Sequence, residues 1–184
     1  MDAQIAQTTL QPSIRDTDHV RGSVDAPVTI IEYAEFECPH CGRAFHVIKR
    51  VLEEAGDRVR FVFRHFPRDD LHPFSERSAA AAEAAGAQGR FWEMHDFLFE
   101  RQHQLEYEDL RYHALQLGLD VDRFDREILN GEHAARVHED VASGEQLGVD
   151  KTPTFYFNGV RHEGPYDFDA LMAAVADAAG PQSQ

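Results

Sequence analysis

The apolar run Val28-Thr29-Ile30-Ile31-Glu32-Tyr33-Ala34 follows Pro27 and is rich in β-branched residues. A short run of this kind predicts a buried strand. The period then lengthens. Ala44, Phe45, Val47, Ile48, Val51 and Leu52 recur at helical spacing as far as Gly56, which predicts an amphipathic helix. Val59-Arg60-Phe61-Val62-Phe63-Arg64 returns to a strand pattern. Strand, helix and strand in this order form a βαβ unit with parallel strands.

From 71 to 149 the pattern is helical. Residues 75–88 are Ala-rich and favour a helix. Phe91, Met94, His95 and Leu98 mark one face of the next. Residues 107–117, 121–129 and 132–147 complete the set, with Gly118 and Gly131 as breaks. Strand signals resume at Thr154-Phe155-Tyr156-Phe157, turn at Asn158-Gly159 and return over 160–163. Asp167 is placed to cap a last helix carrying Leu171, Met172 and Val175. The polar residues 1–20 predict a flexible N-terminal arm. Residues 21–180 predict one α/β domain, βαβ then ββα, with an all-helical insertion at about 71–149.

The 184 residues are 42% hydrophobic and include 13 Phe, enough for one sizeable core. The formal net charge of −15 disfavours nucleic acid, anionic membrane surfaces and acidic substrates. No apolar run approaches the roughly 20 residues that span a bilayer, so no membrane insertion is expected. The start MDAQIAQTTLQPSIRDTD has neither a basic opening nor an apolar stretch. As written it implies a cytoplasmic protein, or a periplasmic or other extracytoplasmic one if a leader has been removed.

The chemistry concentrates in Cys38-Pro39-His40-Cys41, which holds both cysteines of the chain. A disulfide framework needs more cysteines, and a closed zinc site usually needs four ligands, so no metal is expected. A C-x-x-C between a strand and a helix can cycle between dithiol and disulfide. Pro39 suits the first turn of that helix, where its missing N–H costs nothing. Cys38 at the N-cap would gain backbone N–H donors and the positive dipole end. In such motifs the thiol pKa falls from about 8.5 to roughly 3.5–7. His40 can add a donor or a positive charge, while Glu35 and Glu37 oppose it. Cys38 is expected to be the exposed nucleophile and Cys41 the buried resolving thiol. Trp92 and Met94 are expected in the core. His95, His103, His113, His133 and His138 are scattered and are expected at the surface or at helix caps.

Three segments resemble the DsbA-like branch of the thioredoxin fold. The first runs from Gly22-Ser23-Val24-Asp25-Ala26-Pro27-Val28 to Cys38-Pro39-His40-Cys41. The second holds Phe66-Pro67, His72-Pro73 and the stretch from Gly89 to Asp96. The third holds Gly148-Val149, Thr152-Pro153-Thr154-Phe155 and Asn158-Gly159. The resemblance implies a monomeric thiol:disulfide oxidoreductase, an oxidase by its Pro39-His40 dipeptide. Its only redox group would be the Cys38–Cys41 disulfide, with no further cofactor. Its partners would be protein thiols and disulfides, recharged by an unidentified thiol or quinone-linked partner. Thr152-Pro153 resembles the family's cis-proline loop, which would set the Thr152 backbone beside Cys38 to pair with an extended client. Glu32 stands where the family keeps an acid beneath the site, able to take the proton of Cys41. Thr152 and Lys151 depart from common family residues, and Thr152 implies a less extreme potential. Two alternatives use the same dithiol: a cytosolic disulfide reductase or redox-stress protein, and a redox-sensing, client-binding chaperone.

Overall fold

The structure is a computed structural model and describes residues 11–180. Strand β1 is His19–Arg21, β2 Val28–Ala34 and β3 Val59–His65. Helix α1, Pro39–Ala55, connects β2 to β3. Five helices follow: α2 Ser75–Gly86, α3 Phe91–Glu100, α4 Tyr107–Gln116, α5 Val121–Leu129 and α6 Ala134–Gln146. The chain closes with β4 Thr154–Phe157, β5 Val160–Arg161 and α7 Phe168–Ala179.

The sheet order is β1-β3-β2-β4-β5. β2 and β3 are parallel, as their helical crossover requires, and the other pairs are antiparallel. Side chains alternate across β2. Ile30 and Ala34 enter one core with Phe61, Phe63, Phe155 and residues of α1 and α7. Ile31 and Tyr33 enter a second, smaller core with Val62 and Tyr156, against Val141 of α6. Glu32 therefore shares the α1 face with Ile30 and Ala34. Each fully buried Phe or Ile in these cores contributes about 1.5–3 kcal/mol.

The sequence pattern missed β1, and residues 11–20 differ from the loose arm expected there; the rest of that arm, 1–10, lies outside the described residues. Charge pairing is the physical reason. Asp18 accepts from Arg64 Nη2 at 2.7 Å and from Arg15 Nη2 at 2.8 Å. Arg15 also binds Asp140 of α6, and Arg136 binds the same carboxylate at 2.6 Å. Arg64 is 1% exposed and donates to the Tyr33 hydroxyl at 2.7 Å. On the opposite face of β3, His65 Nε2 lies 3.0 Å from Glu83, which His19 of β1 reaches at 2.8 Å. The Arg21 guanidinium lies 4.4 Å above the Trp92 ring and ties β1 to α3.

Two histidines correct the surface expectation. His95 and His113 are buried. His95 sits among Phe36, Phe45, Phe63 and Phe99 with Nδ1 on Asp96. Burial pushes it down to about 4, against the pull of Asp96, so the core holds it neutral. His113 bonds the Gln104 carbonyl through Nε2 at 3.1 Å.

Candidate active site

β2 delivers the chain to the N-terminus of α1, and Cys38 forms the N-cap with extended backbone (φ −67°, ψ 122°). Pro39 opens the helix, and the Gly42 N–H closes the first turn on the Cys38 carbonyl at 3.1 Å. Both cysteines are free thiols here. Cys41 is fully buried, and Cys38 is only 5% exposed. That differs from the open nucleophile expected, because the loop before β4 lies over it. The Thr152 carbonyl oxygen is 3.7 Å from the Cys38 sulfur, and the Thr152–Pro153 peptide bond is cis.

The two sulfurs differ sharply in acidity. A hydrogen bond from the Cys41 thiol is the largest influence on Cys38. Burial opposes it, while the backbone N–H groups of Cys41 and His40 and the Thr152 side chain add to it. Together they bring Cys38 down to about 5. Burial pushes Cys41 well above its ordinary value, and the charges of Cys38 and Glu32 push the same way. The result is a thiolate beside a thiol at neutral pH.

His40 gives the thiolate its backbone N–H, but its ring points elsewhere. Nδ1 lies 2.8 Å from Arg43 Nη2 and 3.0 Å from the Tyr166 hydroxyl. A guanidinium only donates, so Nδ1 accepts and the ring proton belongs on Nε2. The ring borders a cavity of about 420 Å³ beside the cis-proline loop, shared with Lys151, Pro153, Phe155, His162 and Tyr166.

Three glutamates surround the turn. Glu32 is buried on the α1 face, and its Oε1 has no hydrogen-bond partner among the described residues. Burial alone pushes it up to about 8. Glu35 is equally buried, but it accepts from the Glu37 N–H at 2.9 Å and pairs with His72 Nδ1. Burial raises it to about 7; the Glu37 N–H and His72 pull it back, and the Cys38 charge pushes it further up. Glu37 accepts the Phe74 N–H at 2.7 Å. Both residues thus tie the turn to the segment that leads from β3 into α2.

Nothing in the sequence pattern marks Gln102, which follows α3. Its Nε2 donates to the Phe36 carbonyl at 2.7 Å and to the Cys38 carbonyl at 2.9 Å. Gly42 makes room for it: a Cβ there would stand 2.1 Å from Gln102 Oε1. Tyr166 and Arg43 were likewise unmarked. Among the described residues no group of three or more His, Cys, Asp or Glu side chains is arranged to hold a metal ion.

A sheet with this order, a dithiol at its first strand–helix junction and a cis-proline facing it define the thioredoxin-fold class, in its helix-inserted, DsbA-like form. The chain belongs to the thioredoxin family: the family model described as Thioredoxin matches residues 15–177. Among solved structures, a thioredoxin-like oxidoreductase from Silicibacter pomeroyi is 27% identical, with a TM-score of 0.79 over 89% of this chain and 93% of that one. BdbD from Bacillus subtilis is 24% identical, with a TM-score of 0.80 over 93% and 97%, and shares the fold. Among curated proteins, the Na(+)/H(+) antiporter NhaA 3 of Salinispora tropica is 48% identical over 163 residues, 89% of this chain and 25% of the antiporter. NhaA 1 of Mycolicibacterium vanbaalenii is 41% identical over 168 residues, 90% and 27% respectively. The chain spans about a quarter of the length of these curated relatives. No helix among the described residues is long and apolar enough to cross a membrane.

Proposed function

We propose that the chain oxidises protein dithiols through the Cys38–Cys41 disulfide. A client thiolate attacks the Cys38 sulfur and Cys41 leaves, taking a proton. A second client thiol then attacks the client sulfur of the mixed disulfide and releases the Cys38 thiolate. The client gains a disulfide, and its two electrons reduce Cys38–Cys41. Glu32, neutral until about pH 8, would exchange a proton with Cys41; its charge raises Cys41, which supports this. Thr152 and Pro153 would seat the extended client segment. The observation that carries the reading is the contrast between Cys38 at about 5 and Cys41 well above its ordinary value. A stabilised thiolate favours the reduced form and makes the disulfide oxidising.

Equilibration with glutathione tests the direction. The expected potential lies closer to the roughly −120 mV of a strong oxidant than to the roughly −270 mV of thioredoxin; a value near the latter favours the reductase. Cys38→Ser should abolish oxidative refolding of a reduced client. A variant that still suppresses client aggregation would favour the chaperone.

The curated relatives favour a second, compatible reading: that the dithiol serves a Na(+)/H(+) antiporter, as part of it or beside it. Sodium–proton exchange in vesicles carrying such an antiporter should then respond to dithiothreitol with Cys38 present and not with Cys38→Ser.

A further inference from the structure

We propose that Glu35 and His72 form a proton relay to the dithiol, so that Glu35 takes up a proton from solvent when the Cys38–Cys41 disulfide is reduced. This rests on disulfide exchange at Cys38–Cys41. Glu35 lies three residues before Cys38 in the turn and is coupled to both cysteines: its backbone N–H favours the Cys41 thiolate, and its carboxylate and the Cys38 thiolate repel one another. The carboxylate is 1% exposed, so water does not reach it directly. Its partner His72 is 24% exposed and bridges it to solvent. Glu32, the other buried acid, has no histidine partner of this kind: its Oε1 has no hydrogen-bond partner among the described residues.

Oxidation of two client thiols yields one disulfide, two electrons and two protons. Cys41 takes one proton and becomes a thiol, and Cys38 remains a thiolate. The new negative charge on Cys38 raises the affinity of Glu35 for a proton, and the second proton goes there through His72. The groups facing Glu35 are Cys38 at the N-cap and Cys41 in α1, His72 and Arg68 from the segment after β3, and the backbone of Glu37 in its own loop. A value near 7 for Glu35 puts this uptake at neutral pH.

The test is the equilibrium constant for reduction by glutathione, measured from pH 5.5 to 8 for the whole chain and for Glu35→Gln. Two glutathione thiols release two protons. A protein that takes up both has a constant independent of pH, and one that takes up a single proton has a constant that rises tenfold per pH unit. The wild type should therefore rise less steeply than Glu35→Gln around neutrality. The two should meet below about pH 6, where Glu35 is already neutral. At pH 8 the variant should be more readily reduced by on the order of tenfold, equivalent to one unit of pKa. His72→Gln removes the ring that holds the Glu35 carboxyl down and should move the wild-type break to higher pH. Parallel curves for wild type and Glu35→Gln overturn the relay. If Glu35→Gln does not fold, an unmoved break in His72→Gln overturns it. A wild type that never equilibrates with glutathione overturns disulfide exchange itself, and the relay with it.

Discussion

Glu83 and Glu32 are both buried acids on the sheet's α1 side, and they sit at opposite ends of the acidity scale. Burial pushes Glu83 up, but hydrogen bonds from His19 and His65 outweigh it and hold the carboxyl well below its usual range. Among the described residues Glu32 has no such donors, and burial carries it to about 8. The same division separates two regions of the molecule. Around β1, Arg64 and Asp140, buried charges are matched and lock the N-terminal segment to the sheet. Around the dithiol, burial outweighs the donors present, and both Glu32 and Glu35 are raised. Burial alone therefore does not tell a structural carboxylate from a reactive one; the partner does.

The sharpest test of the matched region is Arg64→Leu. It leaves Asp18 buried without its principal partner, and breaking such a pair costs about 3–5 kcal/mol. Urea unfolding at pH 7 should show that loss, with the acidity of Cys38 unchanged. A variant as stable as wild type would erase the contrast between the regions.

Glu32→Gln should act in the opposite direction. The folded-state pKa of Glu32 is raised from 4.5 to about 8, so the folded state binds the extra proton between these values. The stability that this neutral acid contributes is complete below 4.5 and is lost as pH rises through about 8. Glutamine carries no such dependence. Relative to wild type, Glu32→Gln should match in stability near pH 4 and gain on the order of 3 kcal/mol by pH 7. Urea unfolding at both pH values measures it, and a variant less stable at pH 7 would contradict the orphaned environment.

The smallest effect belongs to the clamp. Gly42→Ala should push Gln102 aside and free two carbonyls, costing about 1–2 kcal/mol. Gln102→Ala should cost a similar amount, and the double variant little more than either alone. Thermal midpoints should fall by about 2–4 °C per kcal/mol in a chain of this size. Additive losses would mean that Gly42 and Gln102 act separately.

Periodicity read most of the frame. β2 and β4 match their expected bounds, because a buried apolar run leaves little choice of register. α5 also matches, and the remaining insertion helices differ by a residue or two at their ends. β1 escaped because three residues, His19-Val20-Arg21, carry too short a pattern, and long-range ion pairs hold the segment before it. β5 ends at Arg161, short of the expected 163; the His162 N–H still bonds the Phe155 carbonyl at 2.9 Å before Gly164-Pro165 turns the chain away. At the site, the C-x-x-C marked its own position. The glutamates of the turn were visible as charges, but their opposite fates were not. His72 meets Glu35 from 37 residues away, and Gln102 meets Cys38 from 64 away. Contacts of that range leave no local periodicity to read. The burial of His95 was hidden for a related reason: only the folded packing surrounds it with five phenylalanines.

Gln102 has a consequence for anyone wishing to shorten this protein. It stands beyond α3, inside the segment that a minimal thioredoxin lacks, yet it holds the two carbonyls on which the catalytic turn is shaped. Glu37 makes the same kind of attachment through the Phe74 N–H. The helical segment is therefore part of the mould in which the reactive turn is cast. Trimming it away would leave the five strands and the cysteines in the chain but release the geometry of the turn.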